Sequence, residues 1–264
     1  MRLLLASALL LIVACKSNDK KGNSGMSGVY KMVSQRVSND STDTTYTNLQ
    51  QLKIFTDDYM IYANFNPSDS VSGFGIGTYI TKEDTVIEDV FYNASDTTYT
   101  NDPGKFTLII EKTPKGYNQV IPSIEVDGLN YKLTENYETS GDEKTTSIDG
   151  AWRQVKNYFI DGDDTTTNTP TQYKVYHKGY IIWGHVVPDS MHVNHAGIGF
   201  GKFEMPANNK VKESMMVSTY YNVRGNDFDL DIDMTGPDQY TQTIHNADGT
   251  KTVEIYMRLR KLSD

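Results

Sequence analysis

Cysteine is almost absent from this chain of 264 residues, which contains a single one, Cys15. One cysteine cannot form an intramolecular disulfide, so the chain is not a small disulfide-stabilised scaffold. Positive charge is also scarce, because 25 Lys and Arg stand against 34 Asp and Glu, for a formal net charge of -9. Nucleic-acid binding through phosphates needs a basic stripe, which this sequence lacks, so we exclude nucleic acid as a partner.

Long hydrophobic runs and long helix-forming stretches are missing as well. Beyond residue 14, no segment is apolar enough to span a bilayer. Long stretches of Ala, Leu, Glu and Lys, which favour helices, do not occur, whereas the chain has 18 Tyr and 9 Phe. Because 38% of the residues are hydrophobic, the chain can bury a core. The composition therefore predicts an all-β globular protein.

Residues 1–14 have the pattern of a secretory signal peptide, with a positive charge at Arg2 and an apolar run over 3–14. The run ends in the motif IVAC at 12–15, which resembles the lipobox of bacterial lipoproteins. The resemblance implies cleavage before Cys15 and attachment of acyl chains such as palmitate, which hold the protein at a membrane without a transmembrane segment. The alternative is an ordinary signal peptide followed by a chance cysteine.

The segment 15–26 carries the predicted lipid and continues as a polar stretch without aromatic residues. This composition is typical of a flexible tether between lipid and domain. Lys16 rather than Asp follows the cysteine, and resemblance to lipoprotein sorting rules then implies the outer membrane. We expect an outer-membrane lipoprotein of the cell envelope, on either the periplasmic or the outer face.

The remainder of the chain consists of an internal sequence repeat with two copies. The segment Gly28-Val29-Tyr30-Lys31 matches Gly150-Ala151-Trp152-Arg153 at a shift of 122 residues, and later segments match in the same order. Ordered similarity over about 115 residues indicates two tandem domains, each of ordinary domain length. We assign a first domain to 27–138, a polar linker to 139–148 and a second domain to 149–264.

Each domain reads as a series of short strands. Residues 227–234 alternate acidic and apolar side chains, the pattern of a strand with one buried face. Turn residues such as Asp102-Pro103-Gly104 separate similar strands elsewhere. About eight strands fit each domain, and closure into a barrel removes exposed edges. The prediction is two tandem up-and-down antiparallel β-barrels.

Four further features carry a family resemblance. Gly150-x-Trp152 near the start of the second domain and Arg258 near its end are similar to the lipocalin pattern. Together with Gln-x-Lys and glycine-rich strands in both domains, they resemble the lipocalin-like domains of bacterial secreted lipoproteins. The resemblance implies that Trp152 closes one end of the barrel and that Arg258 covers the indole face. The first domain departs from it, with Tyr30 in place of the tryptophan and no matching arginine.

Glycines recur at alternate positions, at 73, 75 and 77 and again at 197, 199 and 201. Their shared face has two explanations. Strand glycines permit the sharp coiling of a barrel or the close packing of another element. Alternatively, a bare face points into the barrel and leaves room for a ligand.

Recognisable catalytic chemistry is missing. The sequence has no nucleophile elbow, catalytic triad order or HExxH motif, so we expect a protein that is not an enzyme and needs no cofactor. All five histidines fall in the second domain, and the pair His192 and His195 admits a metal site in principle. Two loop histidines do not make a metal site without converging further ligands, so we predict none.

An eight-stranded barrel is wide enough inside for packed side chains or for one small ligand. We therefore predict non-catalytic binding of a small apolar or amphipathic ligand. The period of two defines a face but not which face is inside, so the lumen residues are candidates: Tyr59, Ile61, Phe65, Phe74, Tyr180, Ile182, Trp183 and Phe200. The alternative is a structural module with filled barrels that contacts another envelope protein.

Overall fold

The computed structural model describes residues 25–68, 70–95, 104–126, 128–142, 144–168, 171–188 and 194–260. Strands form all the regular secondary structure in these ranges, which confirms the predicted all-β class. Among the same residues, no helix has the length and apolar character needed to cross a membrane. The predicted signal peptide, Cys15 and most of the predicted tether lie outside the described residues.

The first domain is a closed antiparallel barrel, barrel 1. Each strand from β3 to β9 pairs with the next, and β9 pairs back with β1, so that eight strands form the ring. The short strand β2 pairs with the end of β1 as an extra strand. The strands are β1 (Gly28–Ser38), β2 (Asp43–Tyr46), β3 (Gln50–Phe55), β4 (Tyr59–Phe65), β5 (Ser72–Lys82), β6 (Thr85–Ser95), β7 (Gly104–Thr113), β8 (Gly116–Val126) and β9 (Leu129–Ser140).

The second domain repeats this topology as barrel 2. The ring closes where β18 pairs with β10, and β11 is the extra strand. The predicted architecture of two tandem antiparallel barrels is therefore confirmed. The strands are β10 (Gly150–Asp161), β11 (Asp164–Thr167), β12 (Gln172–His177), β13 (Tyr180–Pro188), β14 (Asn194–Ala207), β15 (Lys210–Ser218), β16 (Asp227–Gly236), β17 (Gln239–His245) and β18 (Lys251–Arg258).

The alternation on β16 produces the predicted two-faced strand. Leu230 and Ile232 are buried in the interior of barrel 2, whereas Asp229 and Asp233 are exposed. On the outer face, Asp231 pairs with Lys210 of the neighbouring strand β15. Such exposed pairs contribute little stability, typically about 0.2 to 1 kcal/mol, so the buried face holds this strand in place.

Two of the repeated glycines permit close approach of neighbouring backbones. A Cβ atom at Gly77 would lie 2.3 Å from the carbonyl oxygen of Asp89, and one at Gly201 would lie 2.0 Å from that of Ser214. The strand register shifts at both places. Any larger residue would collide with main-chain atoms, so the structural explanation holds at these positions.

The two barrels pack against each other through a shared apolar cluster on their outer faces. It combines residues of barrel 1, such as Ile61 and Phe74, with residues of barrel 2, such as Val175 and Ile198. A Cβ atom at Gly184 of barrel 2 would lie 2.5 Å from the Phe74 ring, which shows how closely the surfaces meet. We refer to this contact as the inter-barrel cluster.

We predicted that eight candidate residues face the barrel lumina, and this prediction is wrong for seven of them. Trp183 lies in the lumen of barrel 2. The other seven belong to the inter-barrel cluster or pack against it: Tyr59, Ile61, Phe65, Phe74, Tyr180, Ile182 and Phe200. The physical reason is that the second barrel covers this outer face, so its residues are apolar without facing a lumen.

Candidate functional site

Each lumen contains a hydrogen-bonded group of six polar side chains. All twelve are buried. The two groups use the same residue types on equivalent strands, and we call them the polar clusters. Barrel 1 contributes Gln51, Lys53, Glu88, Gln119, Glu135 and Tyr137, and barrel 2 contributes Gln172, Lys174, Glu213, Gln242, Glu254 and Tyr256.

In barrel 2 the network runs from an ammonium to a carboxylate. Lys174 donates to Glu213 Oε1 at 3.3 Å and to Gln242 Oε1 at 3.0 Å. The Gln242 amide donates in turn to Glu254 Oε2 at 3.0 Å, and Tyr256 Oη donates to the same oxygen at 2.8 Å. An oxygen that accepts two donors in this way behaves as a carboxylate acceptor.

Barrel 1 repeats these four hydrogen bonds. Lys53 donates to Glu88 Oε1 at 2.8 Å and to Gln119 Oε1 at 2.9 Å. The Gln119 amide donates to Glu135 Oε2 at 2.8 Å, and Tyr137 Oη donates there at 2.9 Å. Two copies within one chain therefore hold the same arrangement, although their walls differ.

The clusters place charge where burial makes it costly. Burial raises the pKa of the Glu88 carboxyl, and the ion pair with Lys53 opposes this effect. Burial and the neighbouring glutamates also hold the pKa values of Tyr137 and Tyr256 well above 10, so both remain O–H donors. A buried charge pair of this kind is seldom a net source of stability compared with apolar packing.

Both polar clusters border a cavity. The barrel 2 cavity measures about 220 Å³ and is lined by Lys174, Glu213 and Glu254 on one side and by apolar residues such as Val223 and Phe228 on another. The barrel 1 cavity measures about 240 Å³ and borders the equivalent polar cluster. Pockets for drug-sized ligands usually measure about 300 to 1,000 Å³, so these lumina suit smaller molecules.

Barrel 2 has a wall of three rings that are roughly parallel. The planes of His185 and Tyr220 lie 14° and 23° from that of Trp183, with centroid distances of 5.5 and 6.0 Å. A Cβ atom at Gly199 would lie 2.3 Å from the Trp183 indole. The glycine face thus points inward, but aromatic rings occupy the space that it leaves. Gly75 accommodates the Tyr62 ring in the same way in barrel 1.

His185 is held in its neutral form. Its Nδ1 lies 2.7 Å from Gln172 Oε1, which only accepts, and its Nε2 lies 2.7 Å from Tyr220 Oη. Nδ1 therefore carries the proton, and Nε2 accepts the tyrosine O–H. Burial lowers the pKa of His185 to about 4.

The depressed pKa makes barrel 2 sensitive to acid. In the unfolded chain a histidine has a pKa of about 6.5, so protonation favours unfolding as the pH falls from about 6.5 to about 4. We expect stability that is fully present above pH 6.5 and reduced by at most about 3 kcal/mol near pH 4. Denaturant unfolding at pH 7 and pH 4.5 should show a smaller loss for His185→Gln than for the wild type. The exposed His245→Gln is the control, and an equal loss in both variants would contradict the assignment.

The loop 219–226 covers the mouth of barrel 2 and is connected with barrel 1. Tyr220 and Val223 of this loop line the cavity. Arg224 donates twice to the carbonyl oxygen of Ser218, at 2.9 and 2.7 Å. Its guanidinium also lies 4.4 Å from the ring centroid of Phe65 in barrel 1. The inter-barrel contact therefore supports the wall of the second lumen.

Trp152 and Arg258, the predicted closing pair, are in contact at the opposite end of barrel 2. The indole is fully buried, and the guanidinium carbon lies 4.0 Å from its centroid. Arg258 also donates to the carbonyl oxygens of Asp149 at 2.6 Å and Pro237 at 2.8 Å. The indole N–H donates to Ile148 O at 2.8 Å. These bonds hold the Arg258 guanidinium over the buried indole.

Metal-ligating side chains do not converge in the part of the chain that the structure describes, since it contains no group of three or more His, Cys, Asp or Glu able to hold an ion. His192 lies outside the described residues, so the pair with His195 is not tested. Cys15 lies outside them as well. The lumen chemistry available in the described residues is hydrogen bonding, ion pairing and ring stacking.

The sequence motifs include some residues of the polar clusters, but the sequence did not predict the clusters. The Gln-x-Lys motifs of the two domains contribute Gln51, Lys53, Gln172 and Lys174, but the motif alone does not place these side chains in a lumen. Comparison with known proteins adds no further signal, because neither a protein-family model nor a curated protein matches the chain. Function is therefore inferred from the geometry of the lumina.

Proposed function

We propose that this protein binds a small amphipathic ligand in the lumen of barrel 2, without catalysis. The observation that supports this most strongly is the cavity of about 220 Å³ between the polar cluster and an apolar wall. One side offers buried hydrogen-bonding groups, and the other offers Phe228, Ile244 and the Trp183 ring. Ligand sites commonly combine apolar walls with a few convergent polar groups.

The polar cluster changes the expected nature of the ligand. A purely apolar molecule would offer no hydrogen-bond partner to the polar groups that line the cavity, which costs free energy. A molecule with a polar head and an apolar ring satisfies both sides of the cavity. Of the two predicted ligand classes, apolar and amphipathic, we therefore retain the amphipathic one.

We further propose that the protein is lipid-anchored at the outer membrane through Cys15. The proposal depends on the lipobox-like motif at 12–15 and the polar tether that follows. The lipocalin-like pattern and the closed barrels are compatible with ligand carriage next to a membrane. The anchor would keep the binding domain within reach of the bilayer surface.

A second candidate function is a structural module that contacts another envelope protein. The observation in its favour is that both cavities, at about 220 and 240 Å³, fall below the usual range for ligand pockets of about 300 Å³ upward. Aromatic rings also fill the closed end of barrel 2, where Trp152 meets Tyr240 at 4.7 Å. In this case the lumina are internal cores.

Mass spectrometry of small molecules extracted from protein purified in its native membrane separates the two functions. We expect one recurrent small molecule from the wild type and its loss from Val223→Trp, which fills the mouth of barrel 2. Val126→Trp, at an exposed position of barrel 1, is the matched control and should retain the molecule. Native protein that carries no small molecule and binds no amphipathic dye would support the structural module instead.

A further inference from the structure

One difference between the two polar clusters concerns a single carboxylate oxygen. In barrel 2, both hydrogen bonds that Glu254 accepts go to Oε2. Its Oε1 accepts no hydrogen bond from the described residues, and this atom is not completely buried. Glu254 is only 9% exposed and lines the cavity, so this free oxygen faces the lumen.

In barrel 1 the equivalent carboxylate oxygen accepts a hydrogen bond. Gln35 lies directly opposite Glu135 in the pairing of β1 with β9, and its amide donates to Glu135 Oε1 at 3.2 Å. In barrel 2 the residue opposite Glu254 is Asn157, which is one methylene shorter. No hydrogen bond joins Asn157 to Glu254 in the described chain. Both oxygens of Glu135 are therefore occupied, whereas one oxygen of Glu254 is open.

The charges around the barrel 2 cavity do not balance. Among its lining residues, Lys174 is the one basic group, and it pairs with Glu213. Glu254 has no cationic partner among the described residues, and the neutral His185 supplies none. An uncompensated buried carboxylate costs free energy, and a positively charged ligand would remove this cost.

The aromatic wall suits the remainder of such a ligand. Trp183 and Tyr220 line the cavity, and their ring planes are nearly parallel. Such faces accept flat apolar groups by stacking, and they also attract cations through the ring quadrupole. Barrel 1 has the smaller Tyr62 and Asn64 where barrel 2 has Trp183 and His185.

We propose that barrel 2 is selective for a small organic cation that carries one flat ring and an ammonium group, with the ammonium at Glu254 and the ring against Trp183. This inference depends on the proposed function and names its ligand class. Lys174 does not exclude such a ligand, because its ammonium is already bonded to Glu213 and Gln242. Barrel 1 lacks both the open acceptor and the indole wall.

Three probes of matched shape test the charge. The ammonium 2-phenylethylammonium, the neutral 2-phenylethanol and the anion 3-phenylpropionate share a phenyl ring and a two-carbon linker. We expect calorimetry and tryptophan fluorescence at pH 7 to show at least tenfold tighter binding of the ammonium than of the alcohol, and weakest binding of the anion. Butylammonium, which lacks the ring, should bind at least tenfold more weakly than 2-phenylethylammonium.

Two substitutions locate the selectivity. Glu254→Gln removes the charge, and Asn157→Gln supplies the side chain that closes the oxygen in barrel 1. Each should weaken binding of the ammonium about tenfold and weaken binding of the alcohol clearly less, because the alcohol loses one neutral hydrogen bond and no charge pairing. Glu204→Gln, at an exposed position outside the lumen, should change neither. Because Asn157→Gln keeps the carboxylate, it still tests the inference if Glu254→Gln fails to fold.

The outcomes separate this inference from the proposed function. Equal or tighter binding of the alcohol or the anion overturns the cation selectivity and leaves ligand binding in place. Unchanged ammonium affinity in folded Asn157→Gln overturns the role of the open oxygen. If no probe binds and the native protein carries no small molecule, the proposed function fails together with its refinement.

Discussion

Replacing Lys174 by methionine should destabilise barrel 2 by about 3 to 5 kcal/mol, because it leaves the buried Glu213 without its counter-charge. Lys174 is 4% exposed and also holds Gln242 in the orientation that supports Glu254. Denaturant unfolding monitored by tryptophan fluorescence measures the change, since both tryptophans, Trp152 and Trp183, lie in barrel 2.

Two variants control this result. Lys210→Met removes a lysine of the same barrel whose pair with Asp231 is half-exposed, so it should cost less than about 1 kcal/mol. Adding Glu213→Gln to Lys174→Met removes the unpaired charge and should recover at least half of the loss. If Lys174→Met costs no more than Lys210→Met, the ion pair is not buried as described.

Replacing Phe74 by alanine should cost about 3 to 5 kcal/mol, the range typical for deleting a fully buried phenylalanine ring. Phe74 has no exposed surface, and its ring lies against Gly184 of the other barrel. Because the inter-barrel cluster couples the domains, we expect the wild type to unfold in one transition and Phe74→Ala to unfold in two. Calorimetry combined with tryptophan fluorescence resolves the transitions.

The matched control is Phe159→Ala, since this ring is 43% exposed and lies outside the inter-barrel cluster. It should cost about 1 kcal/mol or less and leave the single transition intact. Two well-separated transitions in the wild type would show that the barrels fold independently. An unchanged single transition in Phe74→Ala would show that the cluster depends little on this ring.

The fold could be predicted from the sequence because its signals are local and repeated. Alternation over 227–234 indicates a strand with one buried face, and turn residues mark where strands end. The shift of 122 residues indicates two copies of one domain. Closure into barrels follows because short hairpins connect strands that would otherwise leave edges exposed.

The direction of each strand face could not be predicted in the same way. On β4, Ile61 and Phe65 alternate with Met60 and Tyr62, and both faces are largely apolar. One face packs inside barrel 1, and the other packs against barrel 2. Hydrophobicity distinguishes a solvent-exposed strand face from a buried one, but it does not distinguish two buried faces from each other.

The polar clusters were missed because charged residues in strands usually face solvent. Lys53 and Glu88 are 35 residues apart, and Gln119 lies 66 residues from Lys53. Their contact depends on a ring of strands whose pairing the local pattern does not specify. The available signal was that the same polar types recur at matching positions in both domains.

We infer that the fold is duplicated in this chain but the binding site is not. The polar clusters are equivalent, but Asn157 in place of Gln35 leaves one carboxylate oxygen open in barrel 2. Trp183 and Tyr220 add a ring wall there. The two lumina should therefore differ in binding although their backbones repeat.

The stoichiometry of 2-phenylethylammonium binding to the intact protein tests this claim most directly. Equilibrium dialysis at protein concentrations well above Kd counts the bound molecules. We expect one per chain in the wild type, and dialysis at lower concentrations should show that Asn157→Gln weakens binding at this site about tenfold. Two equivalent molecules per chain, or one molecule whose affinity is unchanged in Asn157→Gln, would contradict the asymmetry between the barrels.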